Sequence, residues 1–259
     1  MLALNYCLYD SFAEGPFQGH PAAVVQVSKK LEQSMAIKIA VELCQTVTCF
    51  VWEDDQKIWV ESFAKDGSIW PINHGLLGVA KHYAKQKKSI LHTLDHVFDV
   101  DVIGDSVSIS VPKRSLDMTE MPERLNQAFD VMPVSVRELG KTCVVELRTV
   151  EEVVKLEVDF NRISKLDYER VVLTAEDDTI SCDYVYRYFS PKHYVNENNG
   201  SLFVQTFLPL FWADRLKKDN LSFLQVSPRK AAGNVRIEKD FVRVTAPVKK
   251  IFEGVLKVL

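Results

Sequence analysis

The most informative segment of the sequence is DSFAEGPFQGHPAAVV, which occupies residues 10–25. The apolar residues 1–9 that precede it predict one strand, and residues 24–27 at its end predict a second. The first residues are therefore expected to form two strands of one sheet.

Other β-branched and aromatic runs predict strands in both halves of the chain. These runs are residues 47–52, 58–63, 107–111, 143–147, 171–174 and 183–189. Residues 31–43 carry apolar side chains at helical spacing on one face, which predicts an amphipathic surface helix. Residues 74–86 and about 200–216 are apolar on most sides, so they predict two internal helices.

The predicted fold class is mixed α/β (α+β), with two similar domains that each wrap a curved sheet around one internal helix. At 259 residues the chain exceeds the usual domain size of roughly 100 to 150 residues, so two domains are expected and one large domain is the alternative. A polar, proline-containing stretch at residues 113–123 places the domains at residues 1–118 and 119–259. If the two internal helices point their N-termini at one cleft, their unpaired N–H groups would suit a small carboxylate.

Composition and charge exclude several classes of protein. The 32 basic and 35 acidic residues give a net charge of -3 without an extended basic cluster, so no nucleic-acid partner is expected. The five cysteines are odd in number and form no C-x-x-C pair, which argues against a disulfide framework or a structural zinc site and favours a reducing cytoplasm. The most apolar stretch, residues 202–213, is shorter than the roughly 20 residues that span a bilayer, so no membrane partner is expected.

Three segments in the first half resemble motifs of the PhzF family, the phenazine-biosynthesis-like proteins. Residues 10–25 resemble the family opening D-x-F followed by P-F-x-G-N-P-A-A-V. Residues 42–51 resemble E-x-N-L-S-E-T-A-F-V, with Val47 at the position of the family's acid. Residues 72–76 fall on C-G-H-A-T, so that His74 matches the family's histidine.

The resemblance continues in the second half, where residues 187–191 fit the family's R-x-F-x-P. Residues 197–203 fall on E-D-P-x-T-G-S, which keeps Glu197 but places Asn198 on the aspartate and Phe203 on the serine. An alternative register aligns Gly200 and Ser201 with the family's Gly-Ser and puts an asparagine on the aspartate again. The aspartate is therefore replaced in both registers.

The resemblance implies a diaminopimelate-epimerase-like fold, with an active site in the cleft between two domains and commonly a homodimer. PhzF-family proteins resemble cofactor-free isomerases and epimerases, in which a carboxylic acid moves a proton on a small carboxylate. A small carboxylate ligand and a homodimer are therefore expected for this chain, and neither a cofactor nor a metal is expected.

The resemblance also identifies candidate site residues, with His74 as the candidate catalytic residue. The predicted substrate-cleft residues are His20, Val47, Asn73, Gly75, Glu197, Asn198, Ser201 and Phe203. Valine cannot gain or lose a proton. The proton transfer that a general acid/base residue would perform is therefore expected to be slow or absent. The alternative is a non-catalytic protein that binds a small anion in the cleft or serves as a dimeric partner.

His20 and the asparagines near residue 198 also have purely structural interpretations. His20 replaces a family asparagine that contacts substrate, but it could equally be a turn residue before Pro21. Asn198 and Ser201 could cap the second internal helix. Since both family counterparts line the cleft, His20 and His74 are expected to approach each other, and a bridging metal or a new acid/base role would require that proximity.

Overall fold

The computed structural model describes residues 2–83, 88–120, 122, 125, 128–129, 131–177 and 181–258. The chain forms two compact units, of which the first comprises Met1–Val111 with Arg243–Leu259 and the second comprises Pro112–Val242. The sequence placed the division at residue 118 and assigned residues 243–259 to the second domain. The structure instead returns these last residues to the first unit, where their strand completes the sheet.

The sheet-rich α+β fold that the sequence predicts is the observed one, and every predicted run lies wholly or largely in a strand. The strands are β1 (Leu2–Ser11), β2 (His20–Gln26), β3 (Val47–Asp54), β4 (Lys57–Ala64), β5 (Lys88–His92), β6 (Val97–Ile103), β7 (Ser106–Pro112), β8 (Asp117–Met118), β9 (Ser135–Leu139), β10 (Thr142–Glu146), β11 (Arg170–Glu176), β12 (Tyr184–Ser190), β13 (Val195–Glu197), β14 (Asn220–Gln225), β15 (Ala231–Ile237) and β16 (Phe241–Val258). The helices are α1 (Gln33–Leu43), α2 (Gly75–His82), α3 (Val150–Lys155), α4 (Phe160–Ser164) and α5 (Leu208–Leu216).

The sheet of the first unit closes on itself around α2. Its strands follow the order β1 to β7 and then β16, which pairs with β1 as well as with β7. Helix α2 contacts β1, β2, β3 and β6, and residues 75–80 are all buried. A closed sheet has no free edge, and its interior accommodates a helix that is apolar on nearly all sides.

The two faces of β3 separate the two helices of the first unit. Successive strand residues point to opposite faces, so Val47 and Cys49 face α2. Phe50 and Trp52 pack in one core cluster with Ala36 of α1. Helix α1 is therefore the amphipathic surface helix that its sequence predicts.

The second unit contains a mixed sheet covered on both faces. Its strand order is β8-β9-β10-β11-β12-β14-β15, with β13 paired to β12. Helices α3 and α4 contribute Val153 and Ile163 to the core on one face, where they join Val171 and Leu173 of β11. The other face carries α5, so this unit also places an apolar helix against a sheet.

Helix α5 is attached to the sheet by Trp212, which is almost fully buried. The Trp212 ring lies parallel to that of Tyr184 with centroids 5.9 Å apart. The Trp212 indole N–H donates to Oγ1 of Thr174 on β11 at 2.9 Å. Gln205 accepts from the Tyr184 hydroxyl and donates to that of Tyr186, which explains a glutamine within an apolar stretch.

Both internal helices are shorter than their sequences predict. Helix α5 begins at Leu208 instead of about residue 200, because Pro209 lacks an N–H and fits only the first turn. A 3-10 turn at Val204–Thr206 precedes it. Helix α2 follows His74 and ends at His82, and residues 84–86 of its prediction lie outside the described residues. Within the described ranges, no helix is long and apolar enough to cross a membrane.

Trp212→Phe is expected to lower the free energy of unfolding by about 2 to 3 kcal/mol, since it removes the bond to Thr174 and leaves a cavity. Urea unfolding measures this loss. Trp59→Phe is the matched control, because Trp59 is only half-buried and should cost less than about 1 kcal/mol. Equal losses in the two variants would contradict the role given to Trp212.

Candidate functional site

His20 and His74 form a stacked imidazole pair at the N-terminus of α2. Their ring centroids are 3.6 Å apart and the ring planes differ by 6°. His20 is brought there by the antiparallel pairing of β1 with β2, which sets it opposite Ser11. The Ser11 hydroxyl donates to the backbone oxygen of His74 at 2.8 Å. The predicted approach of the two histidines is therefore present in the structure.

The His74 imidazole is held in its neutral form. It is 2% exposed, and its Nε2 lies 3.0 Å from the backbone oxygen of Pro21. Because a carbonyl oxygen only accepts, Nε2 carries the proton and Nδ1 is left as an acceptor. Burial holds the pKa of His74 well below its ordinary value, the neighbouring His20 lowers it further, and the bond to Pro21 opposes both.

The stacked arrangement does not suit a shared metal ion. Imidazole nitrogens bind metals through lone pairs that lie in the ring plane. In two parallel rings these lone pairs run side by side and do not converge on one point. Among the described residues, no group of three histidine, cysteine, aspartate or glutamate side chains could hold a metal. The pair is thus better suited to hydrogen bonding than to metal coordination.

Val47 faces the first residue of α2 from the neighbouring strand and is fully buried. A Cβ atom on Gly75 would lie 2.5 Å from Sγ of Cys49 and 3.2 Å from Cγ1 of Val47. Only glycine therefore allows the helix to approach β3 so closely. Oδ1 of Asn73 accepts from the Gly75 backbone N–H at 2.8 Å and so holds this first turn. The structure brings together all five predicted residues of the first unit.

Cys49 is the ionisable side chain beside Val47, but it is not suited to transfer a proton. The Ser62 hydroxyl donates to its sulfur at 3.3 Å, and the thiol lies 3.7 Å from Oδ1 of Asn73. Burial raises the pKa of the Cys49 thiol to about 12, although the bond from Ser62 opposes the shift. The thiol therefore stays protonated at neutral pH and is a poor nucleophile.

Glu197 in the second unit belongs to a structural ion pair. Its two carboxylate oxygens accept from Nε and Nη2 of Arg187, each at 2.9 Å. Arg187 also donates to the backbone oxygen of Leu156 at 2.8 Å. A largely buried, bidentate pair of this kind fixes both side chains and occupies the carboxylate. Glu197 is a predicted substrate-cleft residue, and in the structure its carboxylate links β13 to β12.

Asn198 and Ser201 also satisfy local backbone and side-chain groups. The Asn198 amide donates to the Ser190 hydroxyl at 2.8 Å, and its backbone oxygen accepts from Gln225. The Ser201 hydroxyl accepts from the backbone N–H of Val204 at 3.2 Å. Ser201 therefore caps the 3-10 turn that precedes α5, whereas Asn198 bonds away from that helix.

Phe203 lies between two arginines that the sequence analysis did not single out. The guanidinium carbons of Arg114 and Arg170 are 5.5 and 5.4 Å from the centroid of the Phe203 ring. Arg170 also pairs with Glu169 at 3.0 Å. No described residue gives the Arg114 guanidinium a hydrogen bond or ion pair. These arginines are distant from Phe203 in sequence, so no motif could have revealed the cluster.

Comparisons with known proteins agree with this geometry, although no protein-family model matches the chain. An uncharacterised isomerase of Pseudomonas aeruginosa is 27% identical over 252 residues, which cover 95% of this chain and 96% of that protein. The crystal structure of a PhzF-family phenazine biosynthesis protein from Enterococcus faecalis matches with a TM-score of 0.92 and 25% identity over 99% of this chain and 100% of that one. The chain is PhzF-like in sequence and fold. The resemblance indicated by residues 10–25 is thus confirmed over the whole length.

The PhzF-like fold extends to more distant epimerases. A hydroxyproline epimerase from Agrobacterium vitis, solved with bound trans-4-hydroxy-L-proline, matches with a TM-score of 0.61. Only 8% of residues are identical, over 98% of this chain and 92% of that one, so this likeness concerns the fold alone. The predicted epimerase-like architecture is therefore confirmed.

Replacing His74 is expected to make the stability of the protein less dependent on pH. Because the pKa of His74 in the folded state lies below the unfolded value of about 6.5, the unfolded chain binds the proton first as the pH falls. Stability is therefore lost below pH 6.5, by up to about 1.4 kcal/mol per pH unit for one such group. His74→Gln keeps a donor for Pro21. When the pH is lowered from 6.5 to 5.5, its free energy of unfolding should fall by about 1 kcal/mol less than that of the wild type.

Urea unfolding at pH 7.5, 6.5 and 5.5 measures this difference. His96→Gln controls for the removal of one imidazole outside the stacked pair. Equal pH dependence in the wild type and in His74→Gln would show that His74 is not the group being titrated.

Proposed function

We propose that this chain is a cofactor-independent isomerase of the PhzF-like type for a small carboxylate, in which proton transfer is weak or lost. The observation that carries the proposal is the burial of Val47, at the position of the family's acid, against the first turn of α2. A positioned general acid/base typically contributes 10²- to 10⁴-fold in rate. An alkyl side chain contributes none of this.

The remaining groups near Val47 support a weak activity better than a full one. The Cys49 thiol stays protonated, and the proton on Nε2 of His74 is already committed to Pro21. The free acceptor on His74 is Nδ1, which could take a proton only from a substrate placed beside it. Among the predicted residues of the first unit, His74 and the stacked His20 are therefore the candidates for residual proton transfer, and His74 is the one that matches the family's histidine.

A second candidate function, small-anion binding without turnover, is favoured by the cluster at Phe203. In the register that places Phe203 on the family's serine, an aromatic ring replaces that small residue, and it supports Arg114 and Arg170. A guanidinium presents five N–H donors in a planar fork that matches a carboxylate. Arg114 has no acidic partner among the described residues, so a bound anion would satisfy a donor set that the protein leaves open.

Deuterium exchange from solvent is expected to distinguish the two functions. The purified protein is incubated in D₂O with a panel of α-amino and α-hydroxy carboxylates that includes trans-4-hydroxy-L-proline, the compound bound to the Agrobacterium vitis epimerase. Slow label incorporation that His74→Ala abolishes would support a residual isomerase. Incorporation that survives His74→Ala would contradict the proposed role of His74.

The anion-binding alternative has its own outcome in the same panel. It predicts no incorporation, together with saturable carboxylate binding that Arg114→Gln weakens by about tenfold or more. Arg236→Gln, which removes an exposed arginine paired only with Glu238, should leave that binding unchanged. Binding that does not respond to Arg114→Gln would exclude the cluster at Phe203 as the anion site.

Val47→Glu alone is not expected to restore isomerisation, because Asn198 and Phe203 also depart from the family pattern and groups that act as a unit are not additive. The variant should also lose roughly 2 to 4 kcal/mol of stability, since it buries a carboxyl group beside Gly75. Val47→Gln is the isosteric control without an acid. Exchange in Val47→Glu that exceeds both the wild type and Val47→Gln would show that position 47 is the only deficient one.

A further inference from the structure

The second unit contains a cavity of about 200 Å³ beside α5. Its walls come from β9, from α5 and from the segment that precedes β8. The lining residues are Ser115, Leu116, Arg137, Phe207, Leu210, Phe211, Asp214 and Arg215. None of the predicted site residues is among them, although Phe207 contacts Phe203 edge-on with ring centroids 5.4 Å apart, so the cavity adjoins the cluster at Phe203 without including it.

Two arginines flank the Phe211 ring at the wall of this cavity. The guanidinium carbons of Arg137 and Arg215 are 5.4 and 5.3 Å from the ring centroid. Arg215 is neutralised by Glu146, which is nearly buried and also accepts from the Ser135 hydroxyl at 2.6 Å. Arg215 is therefore committed to the fold.

Arg137 is in a different situation. Its Nε atom is buried without a hydrogen-bond partner, and no described residue forms a salt bridge with its guanidinium. The nearby Asp214 is mostly exposed and pairs with Lys217 at 3.0 Å, which lowers the pKa of its carboxyl, and Arg137 lowers it further without forming an ion pair. A partly desolvated cation whose nearest acid is bonded to another cation is only partly compensated, and an anion beside it would offset the remaining cost. The position of Arg137 thus points to a negatively charged ligand group.

The rest of the cavity wall favours a ligand whose uncharged part is apolar. Leu116, Phe207, Leu210 and Phe211 supply carbon surface, and Ser115 supplies one hydroxyl. A dry cavity of about 150 Å³ lined by leucine, isoleucine and phenylalanine is large enough for benzene. The cavity here, of about 200 Å³, is partly open to solvent and lined by polar as well as apolar groups, and it has room for one ring with a carboxylate. Asp214 and Glu146 lie close by, which disfavours a ligand with a second negative charge.

We propose that this cavity is a second binding site, for a small monocarboxylate with a flat apolar body. The carboxylate pairs with the guanidinium of Arg137, and the body lies against Leu116 and the two phenylalanines. Arg215 stays paired with Glu146 and helps to hold the Phe211 ring in place. The site requires no chemistry at His74 and exists whether or not the protein turns over a substrate.

Isothermal titration calorimetry of the full chain with benzoate tests this site. We expect saturable binding of one benzoate that Arg137→Gln weakens about ten- to hundredfold, the range for one lost hydrogen bond to a charged group. Benzamide, which keeps the ring but lacks the charge, should bind at least about tenfold more weakly than benzoate. Arg236→Gln, an exposed arginine elsewhere in the same unit, should bind benzoate as the wild type does.

A second variant makes the test independent of the folding of Arg137→Gln. Leu116→Trp keeps the charge but fills the cavity from a half-buried loop position, so it should abolish benzoate binding. Arg114→Gln should not affect it, which separates this site from the cluster at Phe203. Undiminished benzoate binding in Leu116→Trp, equal affinity for benzamide, or no saturable binding by the wild type would each overturn the proposal.

Discussion

The pairing of β16 with β1 is the interaction on which the first unit depends. Leu2 to Ser11 pair in antiparallel order with Val258 to Val248, and β16 pairs with β7 as well. This pairing closes the sheet and creates the interior that buries α2. Since α2 is apolar on nearly every side, an open sheet would leave much of that surface in water. The closing strand therefore determines where the helix N-terminus and its histidine lie.

The closed interior also determines which ionisation states are stable there. Removing water penalises charge, so the His74 imidazole is neutral and the Cys49 thiol keeps its proton. Val47 is compatible with the same dry surroundings and with the close approach of Gly75. The features that stabilise this interior are thus the ones that leave few groups able to exchange a proton.

The second unit uses its charges differently. Two of its carboxylates, Glu197 and Glu146, are engaged by Arg187 and Arg215 within the fold. Arg114 and Arg137 instead rest on the rings of Phe203 and Phe211, and neither forms an ion pair with a described residue. Guanidiniums without an ion pair, in a region where nearby carboxylates are already paired, are suited to binding anions. The charged groups of the second unit are therefore better placed to bind an anion than to transfer a proton.

The sequence by itself determined about half of the strands, the surface helix and the approach of His20 to His74. Period-2 and period-3.6 patterns report which way each side chain points, and residues 10–25 carry the family resemblance. Only the tertiary structure decided that residues 243–259 join the first unit and that Arg137 reaches Phe211. These contacts join residues far apart in sequence, and local periodicity holds no information about the partner that a strand edge or a cation will find. Only folding of the whole chain brings such partners into contact.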